Sequence, residues 1–272
     1  APKARFTRLR TLERLVRGLP LSTVRKQLLI KDLKIFLRDV SQWSQLLLLC
    51  ALVVVYLYNF RVLDLQRMPY MSGFVKNVYA FVNLGMAGLV MATVAVRFVF
   101  PAVSVEGLSF WIIRTSPISM RDFLWSKFWT GLIPVLLLTE LVTVTANEFL
   151  GVDPFLKMTA AAAVVMMSVA LVGLATGMGA RYPRFGAGPA EVSGSFGGVA
   201  FMILAVLFII VMIALVGWPS SLYVFRRLQG RPPSSAQELL MVGCLVVAAT
   251  LSVAVWLLSM RSGVRALSEM AG

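Results

Sequence analysis

Long apolar runs alternate with short polar connections along this chain. Six runs stand out, at 45–60, 78–100, 128–150, 155–180, 198–216 and 238–260. A helix needs about 20 apolar residues to cross the hydrocarbon of a bilayer, and five of the six meet or approach that length. The first run has 16 residues. It reaches across by extending back through Trp43 or by tilting in a locally thin bilayer. The runs are continuous rather than alternating, which excludes a membrane β-barrel. The pattern predicts an all-α polytopic membrane protein with six transmembrane helices.

The segment before the first run has a different period. Phe6, Leu9, Leu12, Val16 and Leu19 share one helical face, and Gly18 and Pro20 end that helix. From Ser22 to Trp43, Leu29, Leu33, Phe36, Val40 and Trp43 form an apolar stripe. Lys31, Lys34 and Arg38 lie opposite it. A basic amphipathic helix of this kind rests in the membrane interface.

The connection 101–128 is itself patterned. Ser104 is placed to cap a helix in which Leu108, Trp111 and Ile112 recur at helical spacing. Ser116-Pro117 breaks that helix. Ser119 caps the next, with Asp122 three residues on, in the manner of a capping box. A short, partly apolar helix between two spans either docks a partner or lies flat on lipid headgroups. The residues leave both readings open.

Charge orients the spans. The net charge is +14, and 11 of the 26 basic residues precede Ser41. With the start inside, inner segments hold 19 basic residues and outer segments 7. This bias predicts that both termini and the 101–128 connection are cytoplasmic. The basic residues flank spans, as topology signals and anionic-lipid contacts do, and they form no base-stacking patch with aromatics. Nucleic acid is therefore not an expected partner.

The candidate chemistry is sparse. There is no histidine, and Cys50 and Cys244 both fall inside apolar runs. No metal site or Ser-His-Asp arrangement is expected. No lysine follows a glycine, so the Gly-x-x-x-x-Gly-Lys phosphate loop is absent. The most unusual residue is Glu140, about mid-membrane, with Thr143 and Asn147 one and two turns further on. The three read either as a polar patch on a substrate path or as a carboxyl and its structural neighbours. Gly173-x-x-x-Gly177 reads mainly as close helix packing, with a dimer contact as the lesser alternative. Pro183, Gly186, Gly188 and Pro189 prevent a long helix after the fourth run. Trp218, Pro219 and Tyr223 predict a short interfacial helix after the fifth.

Three stretches carry a resemblance. EGLSFWIIRTSPIS followed by MRDFLWSKFW resembles the intracellular coupling segment of ABC type-2 permeases, and is closest to bacterial ABC exporter permeases. KDLKIFLRDVSQWSQLLLL and ARYPRFGAGPAEVSGSFGG resemble the same family, so the likeness covers most of 22–260. The resemblance implies a connecting helix before the first span and a cytoplasmic coupling helix between spans two and three. It implies a transmembrane permease subunit of an ATP-driven exporter in the bacterial cytoplasmic membrane, working by alternating access on an unidentified, amphipathic cargo. The chain itself would be no enzyme and would bind no cofactor. ATP and Mg would belong to a partner ABC ATPase subunit. Glu106, Gly107, Phe110, Trp111 and Arg114 would contact that subunit, with Ser116-Pro117 as the elbow. A second permease half and membrane lipids would be further partners. The chain starts with alanine, so it is either processed or the later part of a longer permease.

The expected organisation is thus a basic amphipathic segment at 1–43, a transmembrane domain at 44–260 and a tail at 261–272. Two other classes stand beside the exporter: a gradient-driven secondary transporter or channel, and a non-transporting membrane scaffold.

Overall fold

The computed structural model describes residues 73–115, 118–228 and 235–271, with scattered positions within 26–58. The described residues are helical and include no strand. The main elements are α1 (Gly73–Val94), α2 (Phe110–Thr115), α3 (Met120–Leu150), α4 (Pro154–Arg181), α5 (Pro189–Ser193), α6 (Phe196–Leu228) and α7 (Ser235–Ala271). Five helical stretches are long and apolar enough to cross a membrane: Tyr79–Gly107, Met120–Leu150, Pro154–Arg181, Phe196–Tyr223 and Ser235–Met270. They coincide with the last five apolar runs. The first run, 45–60, lies largely outside the described residues. Where it is described it is helical.

α4 is the central helix, packed against α1, α3, α6 and α7. Its contact with α7 is the most extensive in the bundle. A side chain on Gly177 would sit 2.2 Å from the Ser259 carbonyl oxygen, and one on Gly173 would strike the Trp256 ring. Without a hydrophobic drive between lipid-bathed helices, such close backbone approach supplies the packing energy. The Gly173/Gly177 pair is therefore used inside the chain. The main core gathers Phe100, Phe123, Phe128 and Phe201 with Met91, Met167 and Met212, all buried. A smaller cluster of Ala80, Ala146, Leu150, Val152 and Leu156 closes the other end of the bundle.

One sequence expectation changes at a helix end. α6 does not stop near 216. It runs through Trp218 and Pro219 to Leu228, so no separate interfacial helix begins there. One proline removes a single backbone donor, and the neighbouring Ser220 and Ser221 hydroxyls donate to the Val216 and Trp218 carbonyls. α3 starts at Met120 and runs unbroken into the apolar run 128–150. Ser119 caps it as predicted, its hydroxyl oxygen accepting from the Asp122 amide at 3.1 Å.

Candidate functional site

The segment between α1 and α3 is built around Pro101. At Ala95–Val99 the helix widens to a π turn, in which the Phe100 amide donates to the Ala95 carbonyl. In that register the Val96 carbonyl faces the nitrogen of Pro101, which carries no hydrogen. The Ser193 hydroxyl lies 2.8 Å from that carbonyl and 2.8 Å from the Pro189 carbonyl of its own turn, so its one proton is shared between the two acceptors. The chain then tightens into 3-10 turns at Phe100–Ala102 and Ser104–Ser109.

Within the second of these turns Gly107 takes φ 54°, ψ −136°. A side chain is strained in that region, so glycine makes the turn that releases α2. Ser104 is consequently no helix cap: Val103 holds that position, without a side-chain bond. The Ser104 hydroxyl instead accepts from the Arg184 amide at 3.1 Å.

The predicted apolar face of this segment is also rotated. Phe110 and Ile113 are the buried residues of α2, whereas Trp111 and Ile112 point outward, 63% and 53% exposed. Phe110 stacks on Phe185 at 4.9 Å and tilts against Phe123 at 6.1 Å. Through Phe185, Arg184 and Ser193, the glycine- and proline-rich loop after α4 packs directly on the α1–α3 connection. The two stretches were read separately in the sequence; the fold makes them one junction.

Glu106 is the electrostatic centre of that junction. Its side chain is 3% exposed. The carboxylate accepts from Lys127 Nζ at 2.6 Å and from Lys31 Nζ at 2.5 Å. Lys127, on the second turn of α3, is buried, while Lys31 is 38% exposed. A buried carboxylate is tolerated only when paired and hydrogen-bonded. Here one carboxylate clasps the segment before the bundle to the base of α3. Neither lysine was recognised as its partner in the sequence, because 75 and 21 residues separate them from Glu106.

The structure thus brings Glu106, Gly107 and Phe110 into the junction and leaves Trp111 on its outer face. The Arg114 side chain and Ser116-Pro117 lie outside the described residues. Glu140, Thr143 and Asn147 form no common open patch. Asn147 is buried and accepts from Asn83 at 3.0 Å across α1 and α3. Thr143 is buried. Thr139 donates to its own helix at Val135 and lies 3.5 Å from the Ser168 hydroxyl. Glu140 sits at the edge of this buried face, beside the exposed Leu137, Leu141 and Val144.

A family model described as "Putative ATP-binding cassette" matches residues 2–271. No curated protein and no solved structure matches the chain. The match corrects the recognition as a type-2 permease. That reading rested on short aromatic helices between spans, a composition that interfacial helices share. With it fall the function as permease subunit of an exporter and the description of the chain as an exporter permease. The secondary-transporter and scaffold readings fit the family description no better. The statements that the chain has no nucleotide-binding role, and that ATP and Mg belong only to a partner, are also corrected, since the description covering the whole chain names ATP binding. A missing phosphate-loop motif excludes one manner of holding a nucleotide, and the earlier expectation drew more from it than that.

No lysine follows a glycine anywhere in the 272 residues. The described residues contain no strand to present a phosphate loop and no group of three or more His, Cys, Asp or Glu. They do not form a phosphate-loop cradle for ATP and Mg.

Proposed function

Because this chain belongs to the ATP-binding cassette family whose model spans residues 2–271, we propose that it works as a membrane-embedded component of an ABC transporter. Its task there is to pass movement between the helix bundle and the rest of the assembly. The observation that carries this reading is the Glu106 clasp. The 3-10 turn that leads into α2 is tied through Glu106 to Lys31 and Lys127 and through Ser104 to Arg184, and α2 itself through Phe110 to Phe185. A push on α2 therefore reaches α3 and the loop between α4 and α6 together. Packed elements respond to such a push as units rather than by continuous deformation.

Within this reading Trp111 and Ile112 meet another component. Glu106 acts from behind as a positioning residue, and Gly107 supplies the turn. The excess of basic residues in alternate connections supports a cytoplasmic position for the junction and for both ends of the chain. An ATPase subunit, a second membrane half and lipid are the partners this arrangement suits. Of the polar patch, Asn147 joins α1 to α3 through Asn83, while Glu140 Oε1 and the Thr143 hydroxyl are buried without a hydrogen-bond partner among the described residues.

A photo-crosslinking residue at Trp111 tests the proposal in native membranes, with Met158 at the other end of the bundle as the control. Crosslinks from Trp111 to a co-purifying component that change with Mg-ATP support it. Lipid adducts alone, or crosslinks indifferent to nucleotide, overturn it. A photoreactive ATP analogue in the same preparation shows which chain carries the nucleotide.

A further inference from the structure

We propose that the end of α4 and the start of α6 together seat one anionic phospholipid, with its phosphate at Arg181 and its acyl chains along the outer face of α6 that begins at Phe196. The proposal rests on the membrane-embedded reading. Arg181 is the last residue of α4, and Tyr182 caps that helix. The Arg181 guanidinium lies over the Tyr182 ring, 5.8 Å from its centre. The Tyr182 ring in turn meets the Phe196 ring edge-on at 6.1 Å. All three residues are exposed, Phe196 to 73%. Cation, phenol and phenyl are thus contiguous in space, although the loop 183–195 separates Tyr182 from Phe196 in the sequence. The group is also held in place. A side chain on Gly197 would stand 2.8 Å from Tyr182 Cβ and 3.0 Å from the Phe100 ring, so the bare backbone there lets Tyr182 press against the first turn of α6.

From Phe196 the apolar wall continues on one side of α6. With 3.6 residues per turn, Ile203, Leu207 and Ile210 all stand within about 40° of Phe196 around the helix. The three are exposed, whereas Phe201, Ala205 and Met212, about 140° or more away, are fully buried. The rise from Phe196 to Leu207 is about 17 Å at 1.5 Å per residue. One leaflet contributes roughly half of the ~30 Å hydrocarbon thickness. Guanidinium, aromatic rings and aliphatic face therefore follow one another as headgroup, interface and hydrocarbon do. The charge has the matching sign. The charged residues from Arg181 to Phe196 are Arg181, Arg184 and Glu191, all exposed. No carboxylate among the described residues pairs with Arg181. The positive end of the α6 dipole lies at the same place, and a guanidinium suits a phosphate better than an ammonium does. The seat adjoins the junction, since the same loop carries Arg184 and Phe185, which meet Ser104 and Phe110.

A membrane helix of another protein is the other occupant such a face could take. Such a helix would cover Ile203 and Leu207 equally well. The exposed cation at the end of the face decides between them, because a headgroup phosphate answers it and an apolar helix does not.

The test uses the full chain, delipidated in detergent and titrated with palmitoyl-oleoyl phosphatidylglycerol under native mass spectrometry. One lipid held beyond the weakly bound population is expected, and the phosphatidylcholine of the same chains, neutral overall, should be held more weakly. Arg181→Gln, an exposed and mild change, should weaken the phosphatidylglycerol roughly tenfold, the worth of one charge-assisted hydrogen bond. Phe196→Ala should weaken it too, and Arg121→Gln should not. Equal retention in Arg181→Gln and the parent overturns the proposal, as does equal retention of the two lipids. So does displacement of the lipid by inorganic phosphate, which would mark a plain anion site. A diazirine at Phe196 that captures protein in native membranes rather than lipid overturns it as well. Loss of the Trp111 crosslinks with lipid binding intact would sink the coupling role alone.

Discussion

The Glu106 carboxylate stands 2.6 Å from the Lys127 ammonium, and both side chains are nearly sealed from water. Lys31 completes the group from the segment before the bundle, its side chain partly in water. One acid and two bases thus fasten three separate stretches of chain.

The two lysines should differ sharply on substitution. Lys127→Met leaves a buried carboxylate with one partner, and breaking a buried pair typically costs about 3–5 kcal/mol. Lys31→Ala removes a partly solvated partner and should cost about 1 kcal/mol or less. Adding Glu106→Leu to Lys127→Met should recover most of the loss, since paired apolar replacements are often neutral. Thermal unfolding of the four proteins in one detergent checks this. Equal losses for Lys31→Ala and Lys127→Met would show that the clasp is not asymmetric.

Asn83 and Asn147 join α1 to α3 inside the bundle. Single alanine substitutions and the pair form a double-mutant cycle. Interhelical hydrogen bonds in membranes couple by about 0.6 kcal/mol on average and up to about 1.7. A coupling in that range is expected. A coupling indistinguishable from zero means that the amides meet without holding the helices.

What was legible in the sequence follows from what is local. Apolar run length located five helices, and Ser119 with Asp122 announced the start of α3, because both signals depend on neighbouring residues. The face of α2 was misread. Gly107 turns the chain between the 3-10 turn and α2, so spacing counted across it carried Leu108, Trp111 and Ile112 onto one imagined stripe. Glu106 was singled out for the site without its partners, which lie on other elements. The extent of α6 was cut short because Trp218, Pro219 and Tyr223 were read as a separate interfacial helix, although a proline costs one bond and a long apolar helix absorbs it. The Asn83–Asn147 pair had a visible signal, two amides each in an apolar run, but nothing local says that they meet.

Ser193 shares its one proton between the Val96 carbonyl, which Pro101 leaves without a donor, and the Pro189 carbonyl. Ser193→Ala should cost about 1 kcal/mol, the net worth of an ordinary hydrogen bond. The change should be concentrated where the two stretches meet. Hydrogen exchange read by mass spectrometry should speed up at 95–104 and 189–195 and stay unchanged in α7. Uniform acceleration through the whole chain would point to general destabilisation instead.

Two glycines of the bundle should respond to alanine with opposite sign. At Gly177 the added carbon would lie 2.2 Å from the Ser259 oxygen and 2.5 Å from its carbonyl carbon. Both are backbone atoms, which no rotamer change can move aside. α4 and α7 must separate, and overpacking of this kind costs about 1–3 kcal/mol. At Gly243 nothing lies within 4 Å of the same carbon. Alanine there should stabilise by about 0.4–1 kcal/mol by restricting the unfolded chain. Melting temperatures of Gly177→Ala and Gly243→Ala should therefore fall and rise relative to the parent. The alternative use of Gly177, a contact between two copies, makes a different demand. It requires Gly177→Ala to change the mass of the particle on a sizing column while leaving the melting temperature in place. Measured together, mass and melting temperature separate a helix seam inside one chain from a seam between two.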